Sequence, residues 1–191
     1  FVSDDPPDGC IDAGVHAWQR THGDIREVVA AIIRSPEFWA PQYREAKTKT
    51  PLEFVVSAVR AINASPDTMP ALAQAVARLG QPLYLDQPPT GYPETQESWV
   101  NAGALLSRFN IATALASGRM PGTHVDLAVL FPSAGDADAL TNAVNAAVLN
   151  GTATPNTLRV LKAQVSNVDS PEMARTLAVA LALGSPEFQK Q

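Results

Sequence analysis

Apolar positions recur along this chain with the period of a helix and almost nowhere with that of a strand. In "GDIREVVAAIIRSPEFW", Ile25, Val28, Val29, Ile32 and Ile33 fall at i, i+3, i+4, i+7 and i+8, which puts them on one helical face. Asp24 stands where a carboxylate can accept from the free N–H groups of the first turn. The same pattern predicts helices in "CIDAGVHAWQR", "MPALAQAVARL", "AGALLSRFNIATALASG" and "DADALTNAVNAAVLNG", the last stopping at Asn150-Gly151. "VDLAVLF" admits two readings: Asp126 suits a helix start, and the apolar run suits a buried strand. No other segment offers a strand partner, so a helix is expected.

Proline sharpens these boundaries. Thr50-Pro51 opens "TPLEFVVSAVRAI" with Glu53 placed to close a capping box and Leu52, Val55, Val56, Val59 and Ile62 as the inward stripe. Thr154-Pro155 and Ser170-Pro171-Glu172 repeat that opening, and Gly184 is expected in the left-handed position after the last helix. One tetrapeptide occurs twice, as Ser35-Pro36-Glu37-Phe38 and Ser185-Pro186-Glu187-Phe188. It reads as a helix stop followed by a short restart, with Phe38 and Trp39 free to fold back on a core. The stretches before the two copies share only apolar periodicity, and no fixed period indicates a solenoid.

These elements sum to an all-α fold, an irregular bundle of about eight or nine helices in a single domain over residues 1–191. One connection is long. Residues 80–100 are rich in proline and carry Tyr84, Tyr92 and Trp99, so a structured loop is expected there.

Composition narrows the function classes. The 191 residues are 46% hydrophobic and carry a net charge of −5 with scattered basic side chains, which disfavours nucleic acid and anionic lipid as partners. No apolar run is long enough for membrane insertion. Cys10 is the sole cysteine, so neither an internal disulfide nor a thiolate zinc cluster can form. The opening "FVSDDPPDG" has no signal-peptide pattern and reads as the interior of a longer, processed or truncated protein.

Reactive constellations are not evident. His16, His22 and His124 form no His-Glu-x-x-His frame, and neither a Gly-x-Ser-x-Gly elbow nor a phosphate-cradling glycine loop occurs. Asp4, Asp5, Asp8 and Asp12 oppose a thiolate at Cys10, and the prolines among them break calcium-loop spacing. No catalytic, cofactor-binding or metal residue is assigned. Asn63 and Asn150 match the glycan acceptor pattern, although Asn150 reads better as a helix end. What remains is a candidate binding surface of Tyr84, Tyr92, Trp99, Arg108 and Asn110, since aromatic rings beside an arginine suit a sugar or a carboxylate. The alternative is that Trp99 plugs the core while Arg108 anchors the loop through carbonyl groups.

The stretch "LGQPLYLDQPPTGYPETQESWVNAGALLSRFNIATALA" resembles the C-terminal part of a bacterial family catalogued as domain of unknown function 1800. The likeness rests on Pro88-Pro89, Gly91-Tyr92, Trp99, Gly103, Leu105-Leu106, Arg108 and Asn110, together with "FVSDDPP", "SPEFW", "KTPLEFVVSAVRA" and "SPEFQ". Gly91-Tyr92 departs from the Gly-Trp common in that family. The resemblance implies a longer, exported bacterial protein of periplasmic or extracellular location, with no reaction attached. The expected role is a helical module that contacts a missing N-terminal half or another protein. The alternatives are a carbohydrate- or anion-binding aromatic loop, or part of an enzyme whose catalytic residues lie elsewhere.

Overall fold

Each predicted capping residue sits at a helix start in the computed structural model, which describes residues 2–133 and 135–191. Phe1, where the "FVSDDPP" stretch begins, and Ala134 lie outside the described residues. The chain divides into two compact units, Phe1–Thr48 with Gln191, and Lys49–Lys190.

The first unit is a helical hairpin with a tail. Helix α1 (Asp8–Thr21) turns into α2 (Ile25–Arg34) through His22 at φ 54° and Gly23 at φ 91°, a left-handed pair that glycine makes inexpensive. Asp24 accepts from the Arg26 and Glu27 N–H groups and starts α2. At Gly14, inside the hairpin, an added Cβ would lie 3.5 Å from Ile32, an ordinary contact. Two 3-10 turns follow at Glu37–Trp39 and Pro41–Tyr43. Trp39 does not fold back onto a core: it is 63% exposed, and its Nε1–H donates to the Ile33 carbonyl at 2.7 Å. That bond satisfies the indole at the surface. The Lys47 and Gln191 backbones exchange two hydrogen bonds.

The second unit holds the main core. Its helices are α3 (Pro51–Ala61), α4 (Ala71–Arg78), α5 (Gln96–Trp99), α6 (Ala102–Ala116), α7 (Leu127–Leu130), α8 (Ala137–Val148), α9 (Pro155–Val165) and α10 (Pro171–Gly184). The Thr50–Glu53 capping box forms in full, Thr154 and Ser170 cap α9 and α10, and Asp126 caps α7 as a helix. A small antiparallel bridge that no pattern announced pairs Ser65–Pro66 with Thr123–His124. With two residues in each strand it is too short to show alternation.

Helix α10 is the hub, packed on α6, α7, α8 and α9. Ala174, Ala178, Val179, Ala180, Ala182 and Leu183 are buried along it, and small side chains on several sides of one helix permit close neighbours on each. Gly184 departs from expectation. It is the last residue of α10 and takes no left-handed conformation; Ser185 continues extended at φ −69°. The glycine is there for space, because a Cβ would meet the Phe109 ring at 2.6 Å.

Candidate functional site

Loop 80–100 closes on itself. The Tyr92 hydroxyl donates to the Pro82 carbonyl, and the Trp99 Nε1–H donates to the Pro93 carbonyl at 2.8 Å. The two rings lie 6.2 Å apart and tilted by 55°. Trp99 is buried at 5% exposure, whereas Tyr84 is fully exposed at φ 62° and Asn110 is exposed on α6. Of the five predicted surface residues, Tyr92 and Trp99 come together, and their polar ends are used to fold the loop.

Arg108 points inward at 1% exposure. One guanidinium nitrogen donates to the Lys49 carbonyl at 2.7 Å and another to Gln189 Oε1 at 3.0 Å, and the group lies 5.2 Å over the Phe54 ring. Arg108 therefore anchors the start of α3 and the chain end, not the aromatic loop. Gln189 passes the network on through its Nε2, which donates to the Leu183 carbonyl at 3.1 Å. Lys49 Nζ donates at 2.7 Å to both the Phe188 and Lys190 carbonyls and sits over the Phe188 ring. Burial lowers the pKa of Arg108, and the Glu53 carboxylate pushes it back up. The planar fork satisfies two separated acceptors at once, which a lysine ammonium could not do in the same geometry. This knot holds structure; its donors face protein acceptors.

The repeated tetrapeptide builds one structure twice. In each copy the serine N–H donates to a carbonyl of the preceding turn, Ile32 or Ala182, and the serine hydroxyl accepts from the phenylalanine N–H, at 3.4 Å for Phe38 and 3.3 Å for Phe188. In each copy the glutamate turns to the start of the hairpin's first helix. Glu187 Oε1 accepts from the Thr154 N–H and the Thr157 hydroxyl at the start of α9. Glu37 lies over the first turn of α1, so that a Cβ on Gly9 would meet its Oε1 at 2.4 Å. A carboxylate there complements the helix dipole. Sequence reasoning missed this role, because it depends on where a residue some 30 positions earlier comes to rest, although the repetition itself was the signal.

An open apolar groove runs along the first hairpin. It is lined by Cys10, Ile11, Gly14, Val15, Trp18, Gln19, Val28 and Ile32. Ile11, Val15 and Trp18 recur at i, i+4 and i+7, a stripe the sequence displayed. At its inner edge Cys10 Sγ contacts Ser35 Oγ at 3.2 Å. Two other clefts flank residues 125–126: one includes Glu172 and Arg175, the other Asn63 and His124. The Arg175 side chain is engaged by the Phe131 and Pro132 carbonyls. Among the described residues, no group of three His, Cys, Asp or Glu side chains is arranged to hold a metal, and no helix is long and apolar enough to cross a membrane.

Residues 1–190 match the profile of a family described as "protein of unknown function (DUF1800)". No match was found to a curated protein or to a solved structure.

Proposed function

Since this chain belongs to the DUF1800 family, whose description carries no activity, we propose that it is a helical module working by protein–protein contact, with the α1–α2 hairpin as its contact face. The observation that carries this reading is a shortage of core. Among the described residues of the first unit, the buried hydrophobic side chains are Val2, Cys10 and Ala17. Ile11, Val15, Trp18, Ile25, Ile33 and Trp39 meanwhile stand 38% to 63% exposed. A segment this short buries too little apolar area for independent stability, and clustered exposed apolar side chains mark an interaction surface. The negative net charge speaks against nucleic acid as the partner.

The partner in this reading is a preceding N-terminal portion of the same protein or a second protein, in the exported bacterial setting that the family resemblance implies. A photo-crosslinking amino acid at Val15, introduced in the producing cells, tests it. A protein adduct at Val15 that is absent when the probe sits at Val129 of α7, itself 75% exposed, is the expected result. Equal or no adducts at the two positions reject the reading, and fractionation of the same cells tests the location.

A further inference from the structure

We infer that a cleft beside α7 binds a small zwitterion of the α-amino acid type, one ammonium and one carboxylate on a short aliphatic body. This goes beyond the protein-contact reading and does not depend on it. The cleft, of about 320 Å3, lies wholly in the second unit, where the end of α6, residues 125–128 and the first two turns of α10 come together. That volume is at the lower end of ligand clefts, so the occupant is small. The polar lining comes from Asp126, Glu172, Arg175 and Thr176, and the apolar lining includes Val125 and Leu127.

Opposite charges share this cleft without pairing. Arg175 donates from Nε to the Phe131 carbonyl at 2.7 Å and from Nη2 to the Pro132 carbonyl at 3.2 Å. Those two bonds fix the half-buried side chain, and its Nη1 has no protein acceptor among the described residues. Glu172 stands three residues earlier on α10 and makes neither an ion pair nor a hydrogen bond with any described residue. A Glu and an Arg at i, i+3 ordinarily meet on a helix surface; here the two carbonyls hold the guanidinium, and both charges stay available. Asp126 uses one oxygen, Oδ1, to accept from the Ala128 and Val129 N–H groups. The Thr176 hydroxyl has no partner among the described residues. A ligand that fits this lining carries both signs. Its carboxylate takes Arg175 Nη1 and the Thr176 hydroxyl, and its ammonium takes Glu172 and the second Asp126 oxygen. The carbonyl end of α6, at Ala116 and Ser117, adds partial negative charge to the lining. A simple anion or a simple cation meets one of these groups and is repelled by the other. Val125 and Leu127 suit a short aliphatic side chain. Solvated charges make such a site weak, so binding in the millimolar range is the scale to test.

The probe is L-leucine, titrated into the isotope-labelled full chain and followed by amide NMR shifts. Saturable shifts confined to residues 116–118, 125–128 and 172–176, with a dissociation constant of about 1 mM or lower, are expected. Isocaproate, which lacks the ammonium, and isoamylamine, which lacks the carboxylate, should each bind at least about tenfold more weakly. Glu172→Gln should weaken leucine at least about fivefold, whereas Glu97→Gln on α5, outside the lining, should leave it unchanged. A Glu172→Gln spectrum that matches the parent away from the cleft shows that the loss is not unfolding. Where that spectrum changes more widely, the two one-charge analogues on the parent chain decide alone. Absence of shifts up to about 20 mM leucine overturns the inference, as does equal binding of either analogue or leucine binding that a folded Glu172→Gln leaves intact. No hairpin residue enters this cleft, so its failure leaves the Val15 crosslinking test of the protein-contact reading untouched.

Discussion

The Glu187 carboxylate reaches back 30 residues to the Thr157 hydroxyl at 2.7 Å and, with the same oxygen, takes the Thr154 N–H at 2.9 Å. The last tetrapeptide is thereby bonded to the start of the helix that opens its own hairpin. This arrangement explains why a glutamate occupies the third position of the motif: it fills an acceptor vacancy at a helix start whose first N–H groups have no partner within the helix.

Acid should loosen this bracket. Burial pushes the Glu187 carboxyl up, but the Thr154 N–H and the Thr157 hydroxyl outweigh it, and the pKa falls to about 2 from an ordinary 4.5. A carboxylate depressed in the folded state contributes stability that is complete above the unfolded value and disappears as pH falls from about 4.5 through about 2. Glu187→Gln keeps the shape and removes the charge. We expect it to lower stability by about 1 kcal/mol at pH 7 and to narrow the gap from the parent at pH 2 to 3, as read from urea midpoints at both pH values.

Arg108→Ala removes one donor from the Lys49 carbonyl and one from Gln189 Oε1 inside the second unit. Two lost charge-assisted hydrogen bonds and a cavity together cost about 3 kcal/mol. Arg108→Lys is expected to recover only part of this, since an ammonium cannot span both acceptors as the fork does. Urea unfolding with an unchanged m-value checks both.

Gly14 and Gly184 should respond to alanine with opposite signs. At Gly14 the added methyl meets Ile32 at 3.5 Å, an ordinary contact. The gain in helix propensity then dominates, and Gly14→Ala should raise stability by about 0.5–1 kcal/mol, seen as a higher melting temperature.

At Gly184 the methyl would sit 2.6 Å from the Phe109 ring. Overpacking outweighs propensity, and Gly184→Ala should cost about 1–2 kcal/mol. Adding Phe109→Leu should return part of that loss, giving a coupling energy in a double-mutant cycle that two independent sites would not show.

Both glycines look alike in the sequence, as small residues in helical stretches, and Gly184 even sits where a left-handed stop is ordinary. Only the neighbour decides: an isoleucine in one case and an aromatic ring from α6 in the other. The aromatic loop divides the same way. Its proline content marked residues 80–100 as a structured connection, but whether Trp99 and Arg108 face solvent or interior depended on the carbonyls of Pro93 and Lys49.

What the chain's order alone determined was local: the helical class, the caps Asp24, Thr50, Thr154 and Ser170, the capping box, and the stops near Ser35 and Ser185. Each depends on bonds spanning two to four residues, so the neighbours in sequence are the neighbours in space. Tertiary structure decided that Arg108 is buried, that the two glutamates of the repeated tetrapeptide meet helix starts, and that the α10 stripe is covered while that of α2 is not. Those outcomes hang on contacts across 28 to 81 residues, from Gly9–Glu37 to Arg108–Gln189, where periodicity names an apolar face but carries no information about which surface will meet it.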